Sequence, residues 1–192
     1  MQYIYLIRHA KTEANKSGML CGKTETELIE SVEDIKFKLI SKIGDLENAL
    51  VISSPLKRAR VTASVFDKDV IVESGFCEFD FGDFDGKTFD YIKNSYPDEF
   101  EKLLKEGNNY QYPNGENIKS FLSRISKTYL ESIEKYKDQE NIVIVSHAGV
   151  IQILLSYILN GNESLYWNFK IENCCVVKLY YCENTPVIEY IK

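Results

Sequence analysis

Two histidines occur in the 192 residues, and each ends an apolar run. His9 follows Tyr3-Ile4-Tyr5-Leu6-Ile7-Arg8, and His147 follows Asn141-Ile142-Val143-Ile144-Val145-Ser146. Arg8 stands beside the first imidazole, and Arg58 follows another apolar run in Ser53-Ser54-Pro55-Leu56-Lys57-Arg58. Only four of the 23 basic residues are arginines: Arg8, Arg58, Arg60 and Arg124. A planar guanidinium grips phosphate oxygens two at a time, which lysine does not do. Two imidazoles and two guanidiniums suggest anion chemistry with histidine as nucleophile. The residues alone leave a plainer reading open, with two unrelated histidines, one satisfied by a backbone carbonyl, and arginines in surface salt bridges. For Arg60 and Arg124 the salt-bridge reading is preferred.

Metal chemistry fits poorly. Neither histidine has a second histidine or cysteine at ligand spacing, and none of the five cysteines (Cys21, Cys77, Cys174, Cys175, Cys182) forms a Cys-x-x-Cys pair. Asp83-Phe84-Asp85-Gly86 has the look of a calcium loop, but Phe81 and Ile92 would occupy its first and last ligand positions, and neither coordinates. The expectation is no metal and no cofactor.

The elements that must place these groups follow from apolar periodicity. Short apolar runs at Tyr3–Arg8, Ala49–Ile52, Val70–Val72 and up to His147 read as buried strands, and Cys175–Tyr181 and Val187–Ile191 as two more joined by Glu183-Asn184-Thr185. Leu28, Val32, Ile35, Leu39 and Ile43 recur at helical spacing up to Gly44, and Ser54-Pro55 reads as cap and first position of another helix. Arg58 would then lie in a first helical turn, where free N–H groups favour an anion. The polar stretch holding Gly18 and Gly22 reads as loop, as does the acidic, aromatic segment Glu78–Gly86. A mixed helical segment reaches Gly107, a long helix runs from Glu116, and an apolar helix spans about Val150 to Leu159 before Asn160-Gly161. Strand–helix alternation predicts an α/β three-layer sandwich, a mainly parallel central sheet with helices on both faces, in which ligands bind at the carboxyl ends of the strands.

Length and uniform composition predict one domain over residues 1–192. The net charge of −6 without a basic stripe argues against nucleic-acid binding. No run approaches the length of a membrane span, and the apolar start is too short for a signal peptide, so the expected setting is the reducing cytoplasm with free thiols.

Four blocks together resemble the histidine phosphatase superfamily, which includes cofactor-dependent phosphoglycerate mutase. They are Leu6-Ile7-Arg8-His9-Ala10-Lys11-Thr12-Glu13-Ala14-Asn15, Ser53-Ser54-Pro55-Leu56-Lys57-Arg58-Ala59-Arg60, Glu78-Phe79-Asp80-Phe81-Gly82-Asp83-Phe84-Asp85-Gly86, and Val145-Ser146-His147-Ala148-Gly149. Their order and span match the family, with three departures: Ala10 for the usual glycine, Lys11 for glutamate or glutamine, and Val32 where glycine is common. The resemblance implies a phosphoglycerate mutase-like fold and a phosphohistidine formed at His9. It implies that Arg8, Arg58 and His147 bind the phosphoryl oxygens, and that Glu78 is the acid and then the base. Glu73, Asp80, Asp83 and Asp85 are rival carboxylates, and Phe76, Phe79, Phe81 and Phe84 are placed to desolvate Glu78. Asn15, Thr12, Cys21, Gly22 and Ala148 are the implied substrate-binding positions.

Within that family the segment 87–115 reads as a short helical lid. Its lysines (Lys87, Lys93, Lys102, Lys105) come without an arginine, which favours a phosphatase over a mutase holding a second anion. Its aromatics, Phe89, Tyr91, Tyr96, Phe100, Tyr110 and Tyr112, suit a ring-bearing leaving group or ordinary packing under a lid. Gly115-Glu116-Asn117 and Leu165-Tyr166-Trp167-Asn168-Phe169-Lys170-Ile171-Glu172-Asn173-Cys174 are similar to the α-ribazole phosphatase branch of cobalamin assembly. The expected partner is therefore a small phosphorylated metabolite, handled without nucleic acid or membrane, with a homodimer as an option. Related broad-specificity small-molecule phosphatases share parts of these motifs and stand beside that reading; a phosphoglycerate mutase-type phosphomutase and a non-catalytic phosphate-binding module are the alternatives.

Overall fold

A computed structural model of the chain describes residues 1–183 and 185–192; Asn184, in the expected connection between the last two strands, lies outside the described residues. The strands are β1 (Tyr3–Arg8), β2 (Leu50–Ser53), β3 (Val70–Val72), β4 (Asn141–Ser146), β5 (Val176–Cys182) and β6 (Thr185–Ile191). They form one sheet in the order β3-β2-β4-β1-β5-β6. The first four strands in that order pair in parallel, and β5 and β6 add two antiparallel pairings. The mainly parallel expectation thus holds, with the antiparallel pairings confined to the C-terminal edge.

Alternation along the central strands supplies both layers. Ile4, Leu6, Ile142 and Ile144 face α6 (Ile118–Lys135) and α7 (Ala148–Asn160). Tyr5, Ile7, Val143 and Val145 face α2 (Val32–Ile43) and α3 (Lys57–Ala63). Both faces of β4 are buried, so its apolar run is continuous rather than alternating. Each such side chain contributes roughly 1.5–3 kcal/mol of burial. Two further helices, α4 (Phe89–Ser95) and α5 (Pro97–Glu106), follow β3 at the open end of the strands, where Phe84, Ile92 and Tyr110 make a small core of their own.

Three local expectations are corrected. The polar stretch after His9 contains a short helix, α1 (Glu13–Ser17), because Thr12 and Asn15 cap each other reciprocally and Gly18 ends it at φ 67°. Leu28 stands outside α2 and bridges Thr12; the helix starts only after Ser31, whose hydroxyl accepts from the Asp34 amide. Nor does Ser54 cap α3. That helix begins at Lys57, its N-cap Leu56 gives no side-chain bond, and the Lys57 amide is taken by the Glu25 carboxylate at 3.0 and 3.1 Å. Ser54 turns instead toward His147.

Candidate active site

Strand pairing brings the two histidines together. Arg8 is in register with Ser146 across the parallel β1–β4 pair, so His9 and His147 leave adjacent strands at the same level. The His9 amide donates to the Ser146 carbonyl at 2.9 Å, and the two rings stand edge to face with centroids 5.2 Å apart. The His9 ring is 3% exposed, and its Nδ1 lies 2.7 Å from the Ala10 carbonyl oxygen. A carbonyl only accepts, so Nδ1 carries the proton and Nε2 keeps its lone pair. Burial, then the charges of Arg58 and Arg8, hold the His9 pKa well below its ordinary value. The ring is therefore neutral and nucleophilic at neutral pH.

The guanidiniums sit differently. Arg58 is 2% exposed on α3. Its Nε donates to His147 Nδ1 at 3.3 Å, and its two terminal nitrogens donate to the carbonyls of Thr24, Cys21 and Gly22. Since Nδ1 of His147 accepts, its Nε2 bears the proton and donates to Ser54 Oγ at 2.8 Å. Arg8 spends one Nη1 proton on the Ile171 carbonyl at 2.7 Å, while its buried Nε finds no protein partner. An unsatisfied buried donor on a cation is ready to receive an anion.

Glu78 follows β3 on a segment tied down from both sides. The Ser146 hydroxyl holds the Phe76 carbonyl at 2.8 Å. Arg124 of α6 donates to the carbonyls of Gly75, Cys77 and Glu78 while its Nε–Nη2 edge grips both oxygens of Glu116. The carboxylate accepts from the Phe79 amide at 2.9 Å and from the Gly149 amide, in the first turn of α7, at 3.2 Å. Those two bonds and the arginines pull its pKa down, but burial outweighs them and leaves it raised. A side chain at Gly149 would collide with Glu78 Oε1 and come within 3.0 Å of the Tyr166 hydroxyl. Glycine is what permits the close approach of carboxylate and helix.

These groups open into a cavity of about 510 Å³. Phe79, Phe81, Phe89, Tyr110, Tyr112, Tyr166 and Trp167 are its aromatic lining, and Leu103 and Leu104 line it too. Trp167 is 70% exposed at the mouth, and its indole N–H bonds Asn108 at 2.8 Å, joining the 87–115 segment to the turn that follows α7. Among the described residues lining the cavity, Arg8, Arg58 and Glu78 are the only ones with lysine, arginine or carboxylate side chains. The remaining polar groups, Asn15, Asn108, Gln152 and the tyrosines, are uncharged. A neutral nucleophilic imidazole, a buried carboxyl with a raised pKa and two guanidiniums are the parts needed to move a phosphoryl group.

A sequence model of the histidine phosphatase superfamily (branch 1) matches residues 4–192. The chain belongs to that superfamily. It is 27% identical to phosphoserine phosphatase 1 of Hydrogenobacter thermophilus, over 98% of this chain and 90% of the relative. It is 25% identical to the adenosylcobalamin/α-ribazole phosphatase of Salmonella typhimurium, over 98% and 95%. An Escherichia coli structure described as a candidate α-ribazole-5′-P phosphatase superposes with a TM-score of 0.91 at 22% identity, covering 100% of this chain and 96% of the other. That last likeness establishes the fold, a phosphoglycerate mutase-like α/β sandwich.

In this histidine phosphatase the expected site residues separate into three groups. His9, Arg8, Arg58, Glu78, Asn15, Cys21 and Ala148 all line the cavity. Asn15 commits its Oδ1 to the Thr12 amide and to Asn173, so its side-chain NH₂ is what it can offer a ligand. Thr12 and Gly22 do not line it. Thr12 is consumed in capping α1, and Gly22 works through its backbone, with no room for a Cβ against the Phe79 carbonyl and Phe81. His147 is fully buried and absent from the lining, its nitrogens satisfied by Arg58 and Ser54, with its ring packed edge to face against His9.

Other expectations need adjusting too. Phe76 and Phe84 are packed in cores away from the cavity, leaving Phe79 and Phe81 to desolvate the carboxyl. Arg124 does bridge a carboxylate, but it is a half-buried clamp on the Glu78 segment instead of a surface pair. Sequence reasoning missed Ser54, Arg124 and Tyr166. Arginine scarcity marked Arg124 faintly, and Ser54 and Tyr166 were marked only by lying in segments that carry the resemblance. Among the described residues no helix is long and apolar enough to cross a membrane, and no group of three or more His, Cys, Asp or Glu could hold a metal ion.

Proposed function

We propose that this phosphatase hydrolyses phosphate monoesters whose leaving group is uncharged and ring-bearing, through a phosphohistidine at His9. The lone pair of His9 Nε2 forms the N–P bond as the ester P–O bond breaks, and the Glu78 carboxyl proton passes to the departing alkoxide. Glu78, now a carboxylate, then takes a proton from water as its oxygen attacks phosphorus. The P–N bond breaks, releasing inorganic phosphate and the neutral imidazole. Arg8 and Arg58 hold the phosphoryl oxygens, where positioning and charge stabilisation supply most of the catalysis in such transfers. The 87–115 segment acts as the lid that screens this chemistry from bulk water.

The cavity wall carries the substrate assignment. Beyond the phosphate end it holds aromatic rings and neutral amides and hydroxyls. The carboxylate and ammonium of phosphoserine would enter without counter-charges, and a mutase would lack cations for a second anion. A riboside with an aromatic base, such as α-ribazole 5′-phosphate, meets stacking surfaces and neutral hydrogen-bond partners, and the similarity to α-ribazole phosphatases supports that choice and a place in cobalamin assembly. Five free thiols fit a reducing, cytoplasmic setting.

The test ranks α-ribazole 5′-phosphate, a purine nucleoside 5′-phosphate, phosphoserine and 3-phosphoglycerate by kcat/KM. Aromatic ribosides should lead phosphoserine by about a hundredfold, the scale of two to three kcal/mol for unmatched charge. Phosphoserine at the head of the ranking would overturn the substrate assignment, and phosphate exchange between phosphoglycerates faster than release would overturn hydrolysis.

A further inference from the structure

Arg58 is held by a loop that is itself held by a carboxylate. The loop carbonyls of Cys21, Gly22 and Thr24 accept from the Arg58 terminal nitrogens at 3.2, 2.7 and 2.9 Å. On its other side the amides of Gly22, Lys23 and Thr24 donate to Asp85 at 2.8, 2.8 and 2.9 Å. Two peptide units, Cys21–Gly22 and Gly22–Lys23, therefore lie side by side between the anion and the cation. Each presents its N–H to Asp85 and its C=O to Arg58. The alignment strengthens both sets of bonds, since each hydrogen bond polarises the peptide that makes the next. The strap is stitched further by Gly86 N–H to the Leu20 carbonyl at 2.7 Å and by Leu20 N–H to the Lys87 carbonyl at 2.9 Å. The missing side chain at Gly22 lets it lie flat on Phe79 and Phe81.

We infer that Asp85 is a positioning residue for phosphoryl binding: by gripping three amides of the 21–24 loop it turns three carbonyls onto Arg58 and fixes the guanidinium beside His9. A long arginine side chain left to itself samples many rotamers, and a displacement of about 1 Å at a reacting centre can cost about a hundredfold in rate. The carboxylate touches no reacting atom and works only through the loop. The inference rests on the proposed role of Arg58 in holding phosphoryl oxygens.

The experiment is a double-mutant cycle on p-nitrophenyl phosphate hydrolysis, with orthovanadate inhibition measured alongside. Asp85→Asn puts an NH₂ against at least one loop amide and removes the charge; kcat/KM should fall tenfold or more, and the vanadate inhibition constant should rise by a similar factor. In an Arg58→Ala background the same change should cost less than twofold, because the group through which Asp85 acts is gone. Asp85→Glu keeps both acceptor oxygens and should give intermediate activity, and it supplies the cycle if Asp85→Asn does not fold. An equal loss in both backgrounds, or full activity in Asp85→Asn, would overturn the inference. Full activity in Arg58→Ala alone would instead overturn the role of Arg58 on which it rests.

Discussion

Gly149→Ala separates stability from catalysis in this enzyme. The added methyl would sit 3.2 Å from Glu78 Cδ and well inside contact distance of Oε1, with the Tyr166 hydroxyl at 3.0 Å on another side. The carboxylate has no free direction, since Oε1 holds the Phe79 amide and Oε2 the Gly149 amide. Restoring ordinary van der Waals separation moves Oε1 by roughly 1 Å and strains or breaks one of those charge-assisted bonds, a loss of about 1.5–3 kcal/mol. Replacing glycine inside α7 returns up to about 1 kcal/mol of helix propensity, so unfolding in urea should change by no more than about 2 kcal/mol. Catalysis has no such compensation: a displaced acid should lower kcat by about a hundredfold for an alkyl phosphate. p-Nitrophenolate needs little proton assistance, so p-nitrophenyl phosphate should slow by less than tenfold. Equal slowing of both esters, or wild-type kcat on the alkyl ester, would refute the assignment of Glu78 as the proton donor and of Gly149 as the position that admits it.

Two further outcomes follow from the buried imidazoles. His9→Ala should eliminate turnover and phosphoenzyme labelling while leaving the circular dichroism spectrum and melting cooperativity intact; undiminished hydrolysis would end the nucleophile assignment. Both histidines have folded pKa values well below 6.5, by burial first, then by the arginines for His9 and by His9 and the arginines for His147. Above that value neither state binds the proton and there is no effect. As pH falls below it the unfolded chain takes up protons that the fold refuses, so stability is lost, at up to about 1.4 kcal/mol per pH unit for each ring. Urea titrations between about pH 6.5 and 5.5 should show that slope roughly halved in His9→Ala, and an unchanged slope would mean the ring is protonated in the fold.

Much of the fold was legible because its determinants are local. The apolar run at Asn141–Ser146, Gly44 and Gly161 at helix ends, and the face of Ile118, Phe121, Ile125 and Tyr129 depend on near neighbours in sequence. The misreadings are instructive for the opposite reason. Ser54 has every local mark of a helix cap, yet a distant imidazole 2.8 Å away takes its hydroxyl, and the helix starts three residues later without a side-chain cap. Leu28 keeps helical spacing with α2 but pairs with Thr12, because Ser31 sets the boundary.

Residue chemistry marked His9, Arg8 and Arg58 as candidates and the four ordered blocks added Glu78, since scarce imidazoles, guanidiniums and block order are properties of the string itself. Only the folded arrangement decided that β4 lies beside β1, which sets the rings 5.2 Å apart, and that burial drives His9 and Glu78 toward their neutral forms. The same arrangement turned His147 inward, gave Arg124 to the Glu78 segment and bound Arg58 to a loop answering to Asp85. Each of these depends on groups dozens of residues apart meeting where water is excluded, and no local pattern of side chains encodes such a meeting.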